Sequence, residues 1–331
     1  MGETLQDLNA RRSGAYRKDR GAENFFEAMN DALLEREAAF YRDDPIEHPF
    51  LFIFGAPRSG TTLMSQVAAY CLDAGYVNNL VARFWKAPIH GIRLSKSTLG
   101  AADRTTFQSD YARTAGVADI HEFGYFWGQL FRKGSMEEIV RSPEIETGLD
   151  WARIRRVLAS ILREFGKPWV AKNIYGAYHL GRLQAVLENV VYIYIERDPL
   201  DTAVSILQAR RKYYDDLRTW WSYVPLEYPL LKDRDPMAQI AGQVYYLNRY
   251  YERETAALPA GSVVRVHYDE LCADPAAVLG RIQAACRDHC GCDLRIATAP
   301  PAAFPRRTHD ARADEKARFA GLFTALQESH D

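Results

Sequence analysis

Residues 51–62 read Leu51-Phe52-Ile53-Phe54-Gly55-Ala56-Pro57-Arg58-Ser59-Gly60-Thr61-Thr62. A short apolar run ends at a glycine, a loop follows, and a helical pattern opens at Thr61 and runs to Ala74. Strand, loop and helix in that order aim backbone N–H groups and a helix N-terminus at one point, where an anion is favoured. Gly55 and Gly60 have the spacing of a phosphate-binding loop, but Thr61-Thr62 stand where nucleoside triphosphatases carry Lys followed by Ser or Thr. The cation here is Arg58, inside the loop. The loop therefore suits a phosphate-like anion and not magnesium-dependent ATP hydrolysis. A strand-to-helix turn with no ligand is the plainer alternative.

Working outward, apolar runs at Trp169–Ala171, Val190–Ile195 and Ser262–His267 read as further strands. Helical patterns separate them: Trp151–Phe165, Gly176–Glu188, a start at Asp198-Pro199, Met237–Ala257, and a start at Asp274-Pro275. Alternating strands and helices imply an α/β fold of P-loop type, a parallel sheet flanked by helices on both faces. Ligands of such sheets lie at the carboxyl ends of the strands. Residues 1–48 read as an N-terminal extension, frayed to residue 20. Its amphipathic helix at Asn24–Phe40 docks on the main body or on a second subunit, which leaves a homodimer open. The main domain spans 49–300. Its insertions are a helical, aromatic-rich stretch at 75–150, without clear strands, and an aromatic tract at 213–236. Residues 301–331 form a C-terminal tail.

The 331 residues are 47% hydrophobic and 26% charged, which excludes disorder, collagen and a small disulfide scaffold. Lys and Arg total 42 against 43 Asp and Glu, so no global basic field exists to hold nucleic acid. No apolar run is long enough to span a bilayer and the first 25 residues lack a signal-peptide core, so no membrane span is expected. Five cysteines, an odd count, point to a reduced, cytoplasmic protein.

The stretch Gly55–Leu63 resembles the 5′-phosphosulfate loop of sulfotransferases that use 3′-phosphoadenosine 5′-phosphosulfate (PAPS), in the Pro-Arg-Ser-Gly-Thr-Thr version of tyrosylprotein and many bacterial members. Glu196-Arg197-Asp198-Pro199, with Ser205 eight residues beyond Arg197, is similar to the family's 3′-phosphate site. Arg offers a planar fork of donors to a phosphate dianion, and Ser adds a hydroxyl. Tyr268-Asp269-Glu270-Leu271 resembles a family segment whose Tyr lies near the adenine. Leu63 stands where cytosolic members carry a stacking Trp. In organisation the resemblance covers residues 50–290. It implies that Arg58, Ser59, Gly60, Thr61, Thr62, Arg197, Ser205 and Tyr268 bind PAPS. The product is then adenosine 3′,5′-bisphosphate, and no metal is implied.

Sulfuryl transfer needs a base for the acceptor hydroxyl, cations on the developing charge, and exclusion of water. Arg58 is the cation at the leaving phosphate. Lys172, after the Trp169–Ala171 strand, is assigned to the sulfonate, with a structural ion pair as its alternative. The family's base does not carry over: the His of cytosolic members matches Ile174, and the Glu of tyrosylprotein enzymes matches Asn79. That leaves His121-Glu122, either as base and orienting partner, with Glu122 also eligible as base, or as a surface pair. His90 and His179 are lesser candidates. Cys286, Cys290 and Cys292 with His289 lack zinc-site spacing. Arg306-Arg307 matches the family's basic pair only in part, because the glycine that follows that pair is missing. Tyr213, Tyr214, Trp220, Trp221, Tyr223 and Tyr228 suit stacking on a sugar or aryl face, and core packing equally. The expected activity is sulfuryl transfer from PAPS to a hydroxyl of a small molecule, sugar or natural product. A catalytically silent nucleotide-binding protein and a P-loop kinase are the alternatives.

Overall fold

The first strand, β1 (Phe50–Phe54), is buried at every position, and its side chains alternate between two separate cores. Phe50, Phe52 and Phe54 enter one, Leu51 and Ile53 the other. A computed structural model describes residues 10–99, 105–110, 113–214, 216–308 and 312–329. In it β1 is the centre of a five-stranded sheet of order β2-β3-β1-β4-β5, with β2 at Gly75–Tyr76, β3 at Trp169–Lys172, β4 at Val190–Glu196 and β5 at Val263–His267. All the pairings are parallel.

The two faces differ in chemistry. One carries rings: Phe54 stacks on Tyr194 at 5.2 Å, and Trp169 stacks on Trp127 at 5.9 Å. Helices Trp151–Phe165 and Leu180–Leu187 cover it, joined by Leu247 and Tyr251 of the helix Pro236–Ala256. The other face is aliphatic, packed by the helices Thr61–Cys71 and Pro275–Cys290. Burying each large side chain contributes about 1.5–3 kcal/mol, which is why these strands read as continuous apolar runs. The chain leaves β1 toward the aliphatic face. After β4 it passes through the helix Pro199–Tyr214 and returns over the ring face. Between β1 and β4 the connections therefore diverge, which opens a crevice at the carboxyl edge.

Several expectations change. The helix after the loop stops at Cys71, where Leu72 turns extended and bridges to Ile296. Residues 176–188 are a 3-10 turn, Gly176–Tyr178, and then a helix at Leu180–Leu187. The 75–150 stretch does hold a strand, β2, too short to show a period. Within the stretch expected to fray, Tyr16 is buried, stacks on Tyr213 at 4.1 Å and donates to Asp110 Oδ2 at 2.7 Å. Residues 1–9 lie outside the described residues. The N-terminal helix spans Arg20–Ala38 and docks on the main body. There Asn30 Nδ2 donates to the Arg83 carbonyl at 2.8 Å, and Glu37 accepts from the Ile89 amide at 2.7 Å. The tail contains a helix, Ala313–Glu328, whose Phe319 enters a third core with the helices Pro199–Tyr214 and Pro236–Ala256.

Candidate functional site

The loop after β1 is shaped by what its neighbours leave room for. A Cβ on Gly55 would collide with the Ile195 carbonyl, and one on Gly60, at φ 106°, with the Tyr268 ring. Arg58 itself is left-handed, at φ 69°. A non-glycine residue held there costs on the order of 1 kcal/mol, a strain that marks functional loops. Ser59 N donates to the Ala56 carbonyl at 3.1 Å and closes the turn. Thr61 and Thr62 open the following helix, and no side chain caps it. Its first N–H groups are thus turned to the loop interior. The Ser59 hydroxyl is buried and, among the described residues, has no hydrogen-bond partner.

Register carries the rest to the same edge. Phe54 is level with Tyr194, and Glu196 with His267. Arg197 and Tyr268 therefore begin where the neighbouring strands end. Arg197 donates through Nη1 to the Arg58 carbonyl at 3.1 Å and through Nη2 to the Arg307 carbonyl at 2.6 Å. Its guanidinium lies 4.5 Å from the centre of the Tyr268 ring. Its Nε is buried and, among the described residues, unpartnered. Arg58 Nε donates to Ser205 Oγ at 2.8 Å. Ser205 reaches the loop from the second turn of a helix whose start is capped by Asp198, which accepts from the Asp201 amide at 2.8 Å. Loop, Arg197, Ser205 and Tyr268 thus meet at one place. Two buried polar atoms there, Ser59 Oγ and Arg197 Nε, are suited to phosphate oxygens.

Arg307 also belongs to this place, although its sequence motif is incomplete. Its amide donates to Tyr268 Oη at 3.1 Å and its carbonyl holds Arg197. Arg306 does not, because Asp201 at 3.0 Å and Asp269 at 2.9 Å engage it. Arg306 lines a neighbouring cleft of ≈ 580 Å³ beside Glu196, Asp198, Asp201, Glu252 and Asp269. Arg197 lines the same cleft, so the carboxylates there face two guanidinium groups.

The catalytic candidates come together on the β3 side. Lys172 ends β3, level with Ile53 of β1. It is buried, and its Nζ donates to Glu122 Oε1. The Glu122 segment is placed by the bridge between Asn78 and Ile120 and by the His121 amide, which donates to the Val77 carbonyl at 2.8 Å. Asn173 Nδ2 also donates to the Glu122 carbonyl at 3.2 Å. His121 Nδ1 accepts from the Phe123 amide at 2.8 Å, which assigns the ring proton to Nε2. His121 is exposed to solvent. Burial first, then Lys18 and Lys172 against the opposing pull of Glu122, push its pKa down to about 4. With Nδ1 occupied by that amide, His121 offers a hydrogen-bond donor at Nε2 rather than a base.

The remaining signals resolve into structure. Asn79 brackets a loop, donating to Thr114 Oγ1 at 3.0 Å and to the Gly116 carbonyl at 2.7 Å. His90 pairs with Glu37 at 2.5 Å and the buried His179 with Glu146 at 2.7 Å. Trp220, Trp221 and Tyr223 are buried rather than displayed for stacking, and Gln243 donates to the carbonyls of Trp221 and Tyr223. Cys286 is in the aliphatic core, and its thiol is pushed up by burial. Among the described residues no helix is long and apolar enough to cross a membrane.

A family model described as the sulfotransferase family matches residues 49–289. Among solved structures, sulfotransferase STF9 from Mycobacterium avium shares 15% identity at a TM-score of 0.51, over 89% of this chain and 72% of that one. Sulfotransferase STF1 from Mycobacterium tuberculosis shares 15% identity at a TM-score of 0.49, over 88% of this chain and 75% of that one. A search of curated protein sequences finds no match.

Proposed function

We propose that this chain, which belongs to the sulfotransferase family, moves the sulfuryl group of PAPS to a hydroxyl of a small-molecule, sugar or natural-product acceptor. The observation that carries the reading is the pair of buried polar atoms, Ser59 Oγ and Arg197 Nε, that have no hydrogen-bond partner among the described residues and flank a strained loop at a helix start. Bound PAPS would supply an activated sulfuryl group on a phosphate leaving group.

The residues divide the work by position. Ser59, Gly60, Thr61 and Thr62 hold the 5′-phosphate end through backbone donors and hydroxyls. Arg197 and Ser205 take the other phosphate, and Tyr268 the adenine. Arg58 places a guanidinium where charge grows on the bridging oxygen. Glu122 is the base, since its carboxylate accepts a proton while His121 keeps its own on Nε2 and orients the acceptor oxygen by donating to it. Lys172, seated against Glu122, neutralises the sulfonate oxygens, and as Glu122 takes the acceptor's proton the displaced charge leaves on the nucleotide phosphate beside Arg58.

Titration calorimetry with adenosine 3′,5′-bisphosphate, against ATP-magnesium, tests the donor half. The bisphosphate is expected to bind well above ATP-magnesium. Arg197→Ala is expected to weaken it about 10–100-fold, the loss of a charged hydrogen-bond fork. Preference for ATP-magnesium would overturn the reading and favour a kinase.

A further inference from the structure

Glu122 is followed by Phe123, whose backbone is left-handed at φ 55° although its ring is buried and stacks on Phe126 at 4.6 Å. A bulky residue in that region is strained and stays there only where its neighbours fix the backbone. The Glu122–Phe123 peptide is fixed at both ends. It is trans, so its carbonyl and its N–H point in opposite directions. The N–H donates to His121 Nδ1 at 2.8 Å, and the carbonyl accepts from Asn173 Nδ2 at 3.2 Å.

Asn173 is itself held for this contact. It is 1% exposed and follows Lys172 directly at the end of β3. Its Oδ1 accepts from the amides of Tyr175 at 2.7 Å and Gly176 at 3.2 Å, which turns Nδ2 to Glu122. A Cβ on Gly176 would run into the Phe52 ring at 2.7 Å, so the turn that orients Asn173 is packed against β1. On the other side, backbone bonds tie the segment before Glu122 to Val77 and Asn78. One carboxamide thus joins the strand that carries Lys172 to the peptide that follows Glu122.

The competing conformation is specific. A flip of the Glu122–Phe123 peptide would take Phe123 out of the left-handed region and relieve its strain. It would also turn a carbonyl, in place of the N–H, toward His121 Nδ1. That carbonyl needs a donor, which moves the ring proton to Nδ1 and leaves Nε2 as a base. Asn173 opposes the flip, because its Nδ2 would then face an N–H.

Resting on the sulfotransferase reading, we infer that Asn173 is a positioning residue that sets the proton roles of His121 and Glu122. By holding one peptide it keeps the ring proton of His121 on Nε2, leaves the base role to Glu122, and keeps Glu122 in register with Lys172. Asn173 takes no part in the proton transfer itself.

Asn173→Asp keeps the size and the acceptor oxygen but has no donor for the Glu122 carbonyl. Asn173→Ala removes the donor without adding charge. Long-range proton–nitrogen correlation spectra of the full-length, histidine-labelled protein, assigned with His121→Asn, read the tautomer near neutral pH. The wild type is expected to carry the His121 proton on Nε2, and both variants to shift it toward Nδ1. With PAPS and an active acceptor, kcat is expected to fall about 10–100-fold in both variants. Unchanged affinity for adenosine 3′,5′-bisphosphate shows that each variant is folded. A wild-type proton on Nδ1 would overturn the inference, as would a tautomer that stays put in both variants. So would a shift in Asn173→Asp alone, which would be an effect of the added charge, or a shifted tautomer with kcat unchanged. Wild-type protein that does not bind the bisphosphate removes the sulfotransferase reading and the catalytic half of this inference, while the spectra still decide whether Asn173 holds the tautomer.

Discussion

In the proposed mechanism Glu122 and His121, neighbours in sequence, take opposite proton roles, and hydrogen bonding separates them. The Phe123 amide donates to His121 Nδ1, so the imidazole can abstract a proton only by giving up that bond or by taking a charge its surroundings disfavour. Glu122 carries its charge beside Lys172 and needs no such change. Glu122→Gln is therefore expected to lower kcat about 100–10,000-fold with bisphosphate affinity intact, the range of a lost general base. His121→Asn, which keeps a donor, is expected to lose far less. Turnover of PAPS on any active acceptor measures both, and the reverse ranking would hand the base role to His121. The pair itself was legible in the sequence as an acid beside an imidazole. Its assignment was not, because it turns on one backbone amide and on a lysine 50 positions away.

Secondary structure was most legible where burial is complete. β1, β3 and β4 lie between two cores and appear as nearly unbroken apolar runs, β5 at the edge alternates, with Arg265 and His267 exposed, and β2 is two residues long and has no pattern to show. The helix Ala313–Glu328 does carry a signal, in Phe319, Leu322, Phe323 and Leu326 at helical spacing, though it sits in a stretch read as tail. The candidate anion site was readable because loop, Arg197 and Tyr268 each follow directly on a strand. The cap of the helix Pro88–Thr98 was not readable. Its own first position, Ala87, offers no side-chain acceptor. Glu37, fully buried on the N-terminal helix, supplies it from outside: its carboxylate accepts from the amides of Ile89 at 2.7 Å and His90 at 3.3 Å, and meets His90 Nδ1. Glu37→Gln keeps part of this and is expected to cost about 1–2 kcal/mol, and Glu37→Ala about 2–3 kcal/mol. Urea unfolding measures the loss, and unchanged bisphosphate affinity would place the effect on helix docking alone.

Across the whole molecule, two histidines held neutral by their surroundings tie stability to pH. His179 has no solvent exposure and is wedged between Phe131 at 4.9 Å and Trp151 at 5.7 Å. Burial lowers its pKa against the pull of Glu146, and its Nε2 has no partner among the described residues to accept a second proton's bond. His121, exposed to solvent but likewise pushed down to about 4, shifts in the same direction. In the unfolded chain both titrate near the ordinary value of about 6.5. Below that pH the unfolded state binds protons that the folded state refuses, so unfolding is favoured as pH falls. The contribution is complete above about pH 6.5, declines toward about pH 4 for His121, and declines until His179 protonates at its own lowered value. Urea titrations stepped from about pH 7.5 down to about pH 5 are expected to show falling midpoints with a constant slope in denaturant. The double variant His121→Asn, His179→Gln is expected to be less stable at neutral pH but flatter across that window. A wild-type curve already flat there would mean that both imidazoles protonate freely in the folded protein. His121 would then carry a charge beside Lys172, and Glu122 would need to offset two cations while serving as base.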